Sequence, residues 1–123
     1  MSAVLDFIAA PPGFEPHTRF TLDPVDGADG LFSLGAIDDD ALRLYLLDPQ
    51  HVVAGYAPTL SDEQAGQLGL TAPDDAMLLV VANPGSDGVH VNLLAPIVAN
   101  RATGVAAQLI LEGQDYPLRA ALG

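Results

Sequence analysis

The sequence predicts a mainly β, single-domain roll or open β-barrel with one short helix. Three observations predict it. The 123 residues suit one domain, and half of them are hydrophobic, enough for a single core without staples. Glycine and proline punctuate short apolar runs about every ten residues, the rhythm of an all-β domain. One segment alone carries both a helix start and a helix stop.

The apolar runs follow in order. Val4–Ile8, Arg19–Leu22 and Leu31–Gly35 are separated by "PPG" and "DPVDGADG". "DDD" then precedes Leu42–Leu47, where Leu42, Leu44 and Leu46 alternate with Arg43, Tyr45 and Leu47, a strand with one buried face. "DPQ" closes it as a turn. "LSDEQAGQLGL", from Leu60 to Leu70, is the helix. Ser61 caps it, Gln64 completes a capping box, and Asp62 and Glu63 suit the positive end of the helix dipole. Gly69 suits the left-handed turn at its C-terminal end. Ala76–Ala82 does not alternate and reads as a strand buried on both faces. Val105–Leu111 is the next strand, and "DYPLRAALG" adds a last strand or frays around Pro117.

Val89–Asn100 poses a separate problem. Its β-branched residues argue for a strand, yet Asn92 and Pro96 interrupt it. Pro96 is expected to bend or split the run and carry the chain from one sheet to another. It would leave backbone groups unpaired beside it, an edge for a guest segment, and Asn92 would satisfy such groups or hold a bulge. The competing reading makes the run core plus a corner, and under either reading Leu93, Ile97 and Val98 are core.

The charge balance is lopsided. Sixteen acids face four arginines, giving a formal charge of −12. Phosphate backbones and anionic membranes would repel such a chain, so no direct nucleic-acid or membrane partner is expected. A basic protein partner would be steered in. The absence of cysteine excludes thiol catalysis and disulfides and fits a reducing compartment. "MSAVLDFIAAPPGFE" makes a poor signal peptide and no run reaches the roughly 20 apolar residues of a membrane span, so a cytoplasmic setting is expected.

Catalytic patterns are not found. His17, His51 and His90 form no H-x-H or H-E-x-x-H pair, and the four serines fall in no G-x-S-x-G. Asp23, Asp26 and Asp29, followed by Asp38, Asp39 and Asp40, tempt a calcium or metal-hydrolase reading, but the spacing fails the EF-hand rule. Solvated turns account for them. No cofactor and no enzyme are expected.

Five segments in register then resemble one family, the FliW flagellar assembly factors. "NLLAPIVAN" at Asn92–Asn100 resembles its N-L-x-A-P-I-V-x-N run. "PPGFE" followed by "RFTL" resembles G-x-P-G-F-E before a short strand, and "LRLYLLDP" resembles its strand ending in D-P. "GYAPTLSDEQAGQLGL" and "GVAAQLIL" resemble its D-Y-x-x-x-L segment and its terminal G-x-Q-x-x-L strand. The resemblance spans about Phe7 to Leu122. It departs in "FSLGA", where Gly35 replaces an amide, and in "GYAP", where Gly55 and Ala57 stand where the family tends to carry acids. Family members also open with an extra strand pair before the stretch matching Val4–Ile8. A shortened edge of that kind implies self-association through an uncovered sheet edge.

The resemblance implies a stoichiometric protein binder. FliW-like proteins bind flagellin in the cytoplasm and also the RNA-binding translational regulator CsrA, relieving its repression of flagellin synthesis. Candidate contact residues are Asn92, Leu94, Ala95 and Pro96, the acids Asp38, Asp39 and Asp40, and Tyr56. The rival reading is a diverged module that keeps the fold and has lost one or both partners.

Overall fold

A computed structural model describes residues 3–53, 55–86, 88–111 and 113–121, with the backbone alone at Asp40, His51, Val52, Pro73 and Gly85. Nine strands and two helices follow in chain order. They are β1 (Ala3–Phe7), β2 (Arg19–Pro24), β3 (Leu31–Ala36), β4 (Asp39–Leu47), α1 (Pro49–Val52), α2 (Asp62–Gln67), β5 (Ala76–Gly85), β6 (Gly88–Val91), β7 (Ile97–Asn100), β8 (Val105–Gln108) and β9 (Ala120–Ala121). A 3-10 turn, Pro73–Asp75, leads into β5.

Seven strands close into a barrel in the order β4-β3-β2-β1-β8-β7-β5. The mainly β barrel matches the sequence expectation, but the ring is closed where a roll or open barrel was expected. Its seam is short: Tyr45, Leu46 and Leu47 of β4 pair with Ala82, Val81 and Val80 of β5. β1 and β8 run parallel, and their neighbours run antiparallel. β1 is therefore paired on both sides, and the uncovered N-terminal edge expected for self-association is absent among the described residues. Beyond the seam, β5 leaves the ring as a ribbon with β6, and β9 pairs outside it.

The strand period decides the core. Leu5 and Phe7, Phe20 and Leu22, Leu34 and Ala36, Leu46, Leu79 and Val81, Ile97 and Ala99 fill the barrel. Phe7 meets Phe20 edge to face at 5.3 Å. β5 is buried on both faces from Leu79 to Ala82, as its unbroken apolar run requires. Its outward residues Val80 and Ala82 pack under Val53, Tyr56 and Tyr116. The outward residues of β7 and β8, Val98 and Ala107, pack under Leu68 of the α2 segment.

Local signals are largely realised. Ser61 Oγ accepts the Gln64 N–H at 3.1 Å and Gln64 Oε1 accepts the Ser61 N–H at 3.0 Å, completing the capping box. Gly69 takes φ +69°. Its carbonyl and that of Leu68 receive the buried Asn100 amide, which fastens the helix end to β7. Gly104 takes φ +80° where the turn before β8 lies against β1, and a Cβ there would stand 2.6 Å from the Val4 carbonyl oxygen. Three readings need correction. "DPQ" opens a one-turn helix, because Asp48 accepts the Gln50 N–H and Pro49 suits the first helical turn. "DDD" is only partly a turn: the bend is at Ile37–Asp38, and the backbone of Asp39 and Asp40 already belongs to β4. The chain does not cross to a second sheet at Pro96, since β6 and β7 pair with the same edge of β5.

Candidate functional site

The antiparallel and parallel registers place the end of β1, the start of β2, the β3–β4 hairpin, the end of β5, the start of β7 and the end of β8 at one mouth of the barrel. A groove of about 390 Å³ opens there, lined by Pro12, Leu44, Leu94 and Leu118 with Ile110 at its rim. Asn92 and Gln108 add two amides to an otherwise apolar lining. Exposed aliphatics gather at this end. Ile110 is 62% exposed and Leu118 63%, and Ile8 and Ile37 follow strands that finish there.

One wall of the groove is the interruption between β6 and β7. Val91 pairs with Ala82 and Ile97 with Leu79, so residues 92–96 face only Val81 and Val80. The surplus forms a wide bulge, and its backbone groups are accounted for. Asn92 Oδ1 accepts the N–H groups of Leu94 and Ala95 at 3.1 and 3.0 Å. The Leu93 N–H donates to the Pro117 carbonyl. The Leu93 carbonyl accepts the Tyr56 hydroxyl at 2.6 Å, and the Ala95 carbonyl accepts Gln108 Nε2 at 3.1 Å. The carbonyls of Leu94 and Pro96 take the N–H groups of Leu111 and Leu109. Pro96 has no N–H to satisfy and is fully buried.

This overturns the expectation of unpaired groups beside Pro96. Asn92 holds the bulge through its side-chain oxygen, and Leu93, Ala95 and Pro96 are interior. Leu94 is half-buried and presents its side chain to the groove. Tyr56 lies behind the bulge. Its ring stands edge to face on Tyr116 at 4.7 Å, and burial, then the neighbouring Tyr116, push its phenol up to about 12.

The other wall is β4. Asp39, Arg43 and Leu44 pair with β3 and residues 40–42 bulge between them, while among the described residues the β5 pairing stops at Tyr45. Asp38 is exposed at the hairpin tip beside this bulge. Asp39 Oδ1 accepts the Ala41 N–H at 3.0 Å. The side chain of Asp40 lies outside the described residues. Asp26, Asp29 and Asp48, with Asp74 and Asp75, lie at the opposite end, so the structure does not bring the two Asp runs together. Among the described residues no three His, Asp or Glu side chains gather as a metal cluster. His90 Nδ1 lies 3.4 Å from Arg119, and the side chain of His51 lies outside the described residues. No helix among the described residues is long and apolar enough to cross a membrane.

Pro12, Gln108, Ile110 and Leu118 were not singled out by sequence, and Leu44 was read only as part of the buried face of a strand. One signal existed: Leu109, Ile110 and Leu111 are consecutive apolar residues, and a strand period must turn one of them outward.

The FliW protein family profile matches residues 1–122. A flagellar assembly factor FliW of Azoarcus sp. (strain BH72) is 34% identical over 105 residues, covering 79% of this chain and 72% of the relative. Another, of Carboxydothermus hydrogenoformans, is 32% identical over 120 residues, covering 96% and 77%. A crystal structure of the flagellar assembly factor FliW superposes with a TM-score of 0.89 at 27% identity, covering 97% of this chain and 84% of that one. The closed barrel, the bulge carrying the N-L-x-A-P-I-V run and these matches agree, and the chain belongs to the FliW family of flagellar assembly factors.

Proposed function

We propose that this chain binds flagellin in the cytoplasm and, in alternation, a CsrA-like RNA-binding regulator, by stoichiometric association without catalysis or cofactor. The observation that carries the reading is the apolar groove at the barrel mouth with exposed aliphatics around it. A flagellin segment, amphipathic and kept from assembling, has apolar side chains to bury in such a groove. The charge of −12 suits the second partner, which must be basic to hold RNA. Asn92 and Pro96 serve the reading indirectly, by shaping one wall. Leu94 and Asp38 are available for contact.

A calorimetric titration with monomeric flagellin of the same host tests the reading. Binding at micromolar or tighter affinity with one-to-one stoichiometry is expected. No heat and no complex on a sizing column would favour a diverged module. Gly35 is the observation on that side: the Arg43 guanidinium lies over it, 3.8 Å from where a Cβ would stand, at the position where the family carries an amide.

A further inference from the structure

We propose that Gln114 and Gln64 are positioning residues for the groove: from a separate cleft they clasp the part of the chain that carries its two most exposed aliphatics, Ile110 and Leu118. The inference rests on the groove reading above and deepens it by naming what holds that side of the groove in place.

Ile110 and Leu118 follow β8, and both line the groove. Residues 113–121 run as a strap along β6 and the bulge. Ala120 and Ala121 pair with Val91 and His90, and the Pro117 carbonyl accepts the Leu93 N–H. No residue of this strap is fully buried, and β9 is only two residues long. A segment packed so thinly takes its position from its hydrogen bonds.

Two of those bonds come from one side chain. Gln114 Oε1 accepts the Thr59 N–H and Gln114 Nε2 donates to the Thr59 carbonyl, each at 2.9 Å. One amide thus engages both main-chain groups of one residue, as a paired residue of an antiparallel ladder does. Gln64 makes a further tie. Its Oε1 completes the capping box, and its Nε2 donates to the Ile110 carbonyl at 3.3 Å. The two amides line one cleft with Thr59, Leu60 and Ser61, and none of these residues lines the groove. The capping box alone accepts Glu or Gln at position 64. Only Gln also supplies the donor that the Ile110 carbonyl takes, and the Thr59 carbonyl makes the same demand at position 114. Between Gln114 and Leu118 stand Tyr116, edge to face on Tyr56, and Pro117, bonded to the bulge. A shift at Gln114 therefore reaches the bulge and Leu118 through a short stretch of chain.

Native-state hydrogen exchange on the free chain, with titration by monomeric flagellin, is the test. Glutamate at either position keeps the acceptor and loses the donor. In Gln114→Glu the Leu93 amide should exchange about fivefold faster, while the Leu94 and Ala95 amides, held by Asn92, keep their rates. Flagellin should bind about fivefold more weakly with the melting temperature unchanged. Gln64→Glu should act in the same direction and keep the exchange of its own amide, which Ser61 holds. Gln67→Glu, exposed on the same helix, adds the same charge and should bind like wild type. Unchanged exchange at Leu93 in Gln114→Glu overturns the proposal. So does faster exchange with undiminished affinity, or equal weakening by Gln67→Glu. If Gln114→Glu fails to fold, Gln64→Glu decides by the same readouts. If the wild type forms no complex the flagellin reading falls, and the exchange rates alone decide whether the clasp holds the strap.

Discussion

The two walls of the groove meet the same difficulty in opposite ways. In each, a strand runs past the point where its partner stops. In residues 92–96 the loose backbone is tied down by side chains: Asn92 takes two N–H groups, while Tyr56 and Gln108 each serve one carbonyl. At the start of β4 the device is local: residues 40–42 bulge, and the Asp39 carboxylate accepts the Ala41 N–H. The first wall is closed by distant residues and so is rigid by construction. The second is shaped by a local bulge and one carboxylate. A binding surface benefits from a wall fixed in the first way, which holds the shape of the groove.

The contrast can be broken. The largest effect is expected from Asn92→Ala, which strands two part-buried N–H groups and should lower unfolding free energy by about 2 kcal/mol in a urea titration. The folded fraction should still bind flagellin. Normal melting with lost binding would make Asn92 a contact residue instead of a positioning one. Tyr56→Phe removes only the hydroxyl bond to Leu93 and should cost about 1 kcal/mol.

That variant also carries a pH signature. The phenol is raised from 10.0 to about 12 in the folded chain, so the folded state holds its proton more tightly than the unfolded state. The associated stability is present below pH 10 and is lost as pH rises from 10 toward 12. Denaturation midpoints measured across that window should fall in the wild type and fall less in Tyr56→Phe. Parallel curves would mean that burial does not raise the Tyr56 phenol.

At the rim of the groove, Ile110→Asp should leave melting within about 0.5 kcal/mol of wild type, as exposed substitutions do, yet weaken flagellin binding about tenfold. Unchanged affinity would move the contact off the groove. The smallest effect on stability is expected from Asp38→Lys, which should be near zero. It should slow association with a CsrA-like partner and lessen the salt dependence of the rate. An unchanged salt dependence would direct attention to Asp26, Asp29, Asp48, Asp74 and Asp75 at the far end.

The structural readings of Asn92 and Pro96 fared differently. Asn92 was read as either a bulge holder or a satisfier of free groups, and both descriptions fit, because holding the bulge is how the groups are satisfied. Pro96 was expected to leave an edge and does not, since the neighbouring carbonyls find Leu109, Leu111 and Gln108. Of the acids read as a solvated turn or a charged contact, Asp39 begins β4 and ties the Ala41 N–H.

What the sequence determined by itself was local. The strand runs follow from alternation and β-branching, and the helix from Ser61, Gln64 and Gly69, whose partners lie within a few residues. Tertiary structure decided the rest. Whether the ring closed, where its seam stopped and which backbone groups stayed free depended on pairs such as Tyr56 with Leu93, 37 residues apart, and Leu46 with Val81. Such contacts leave no periodic trace in sequence. They are fixed only when the strand twist and register of the whole barrel bring the ends together.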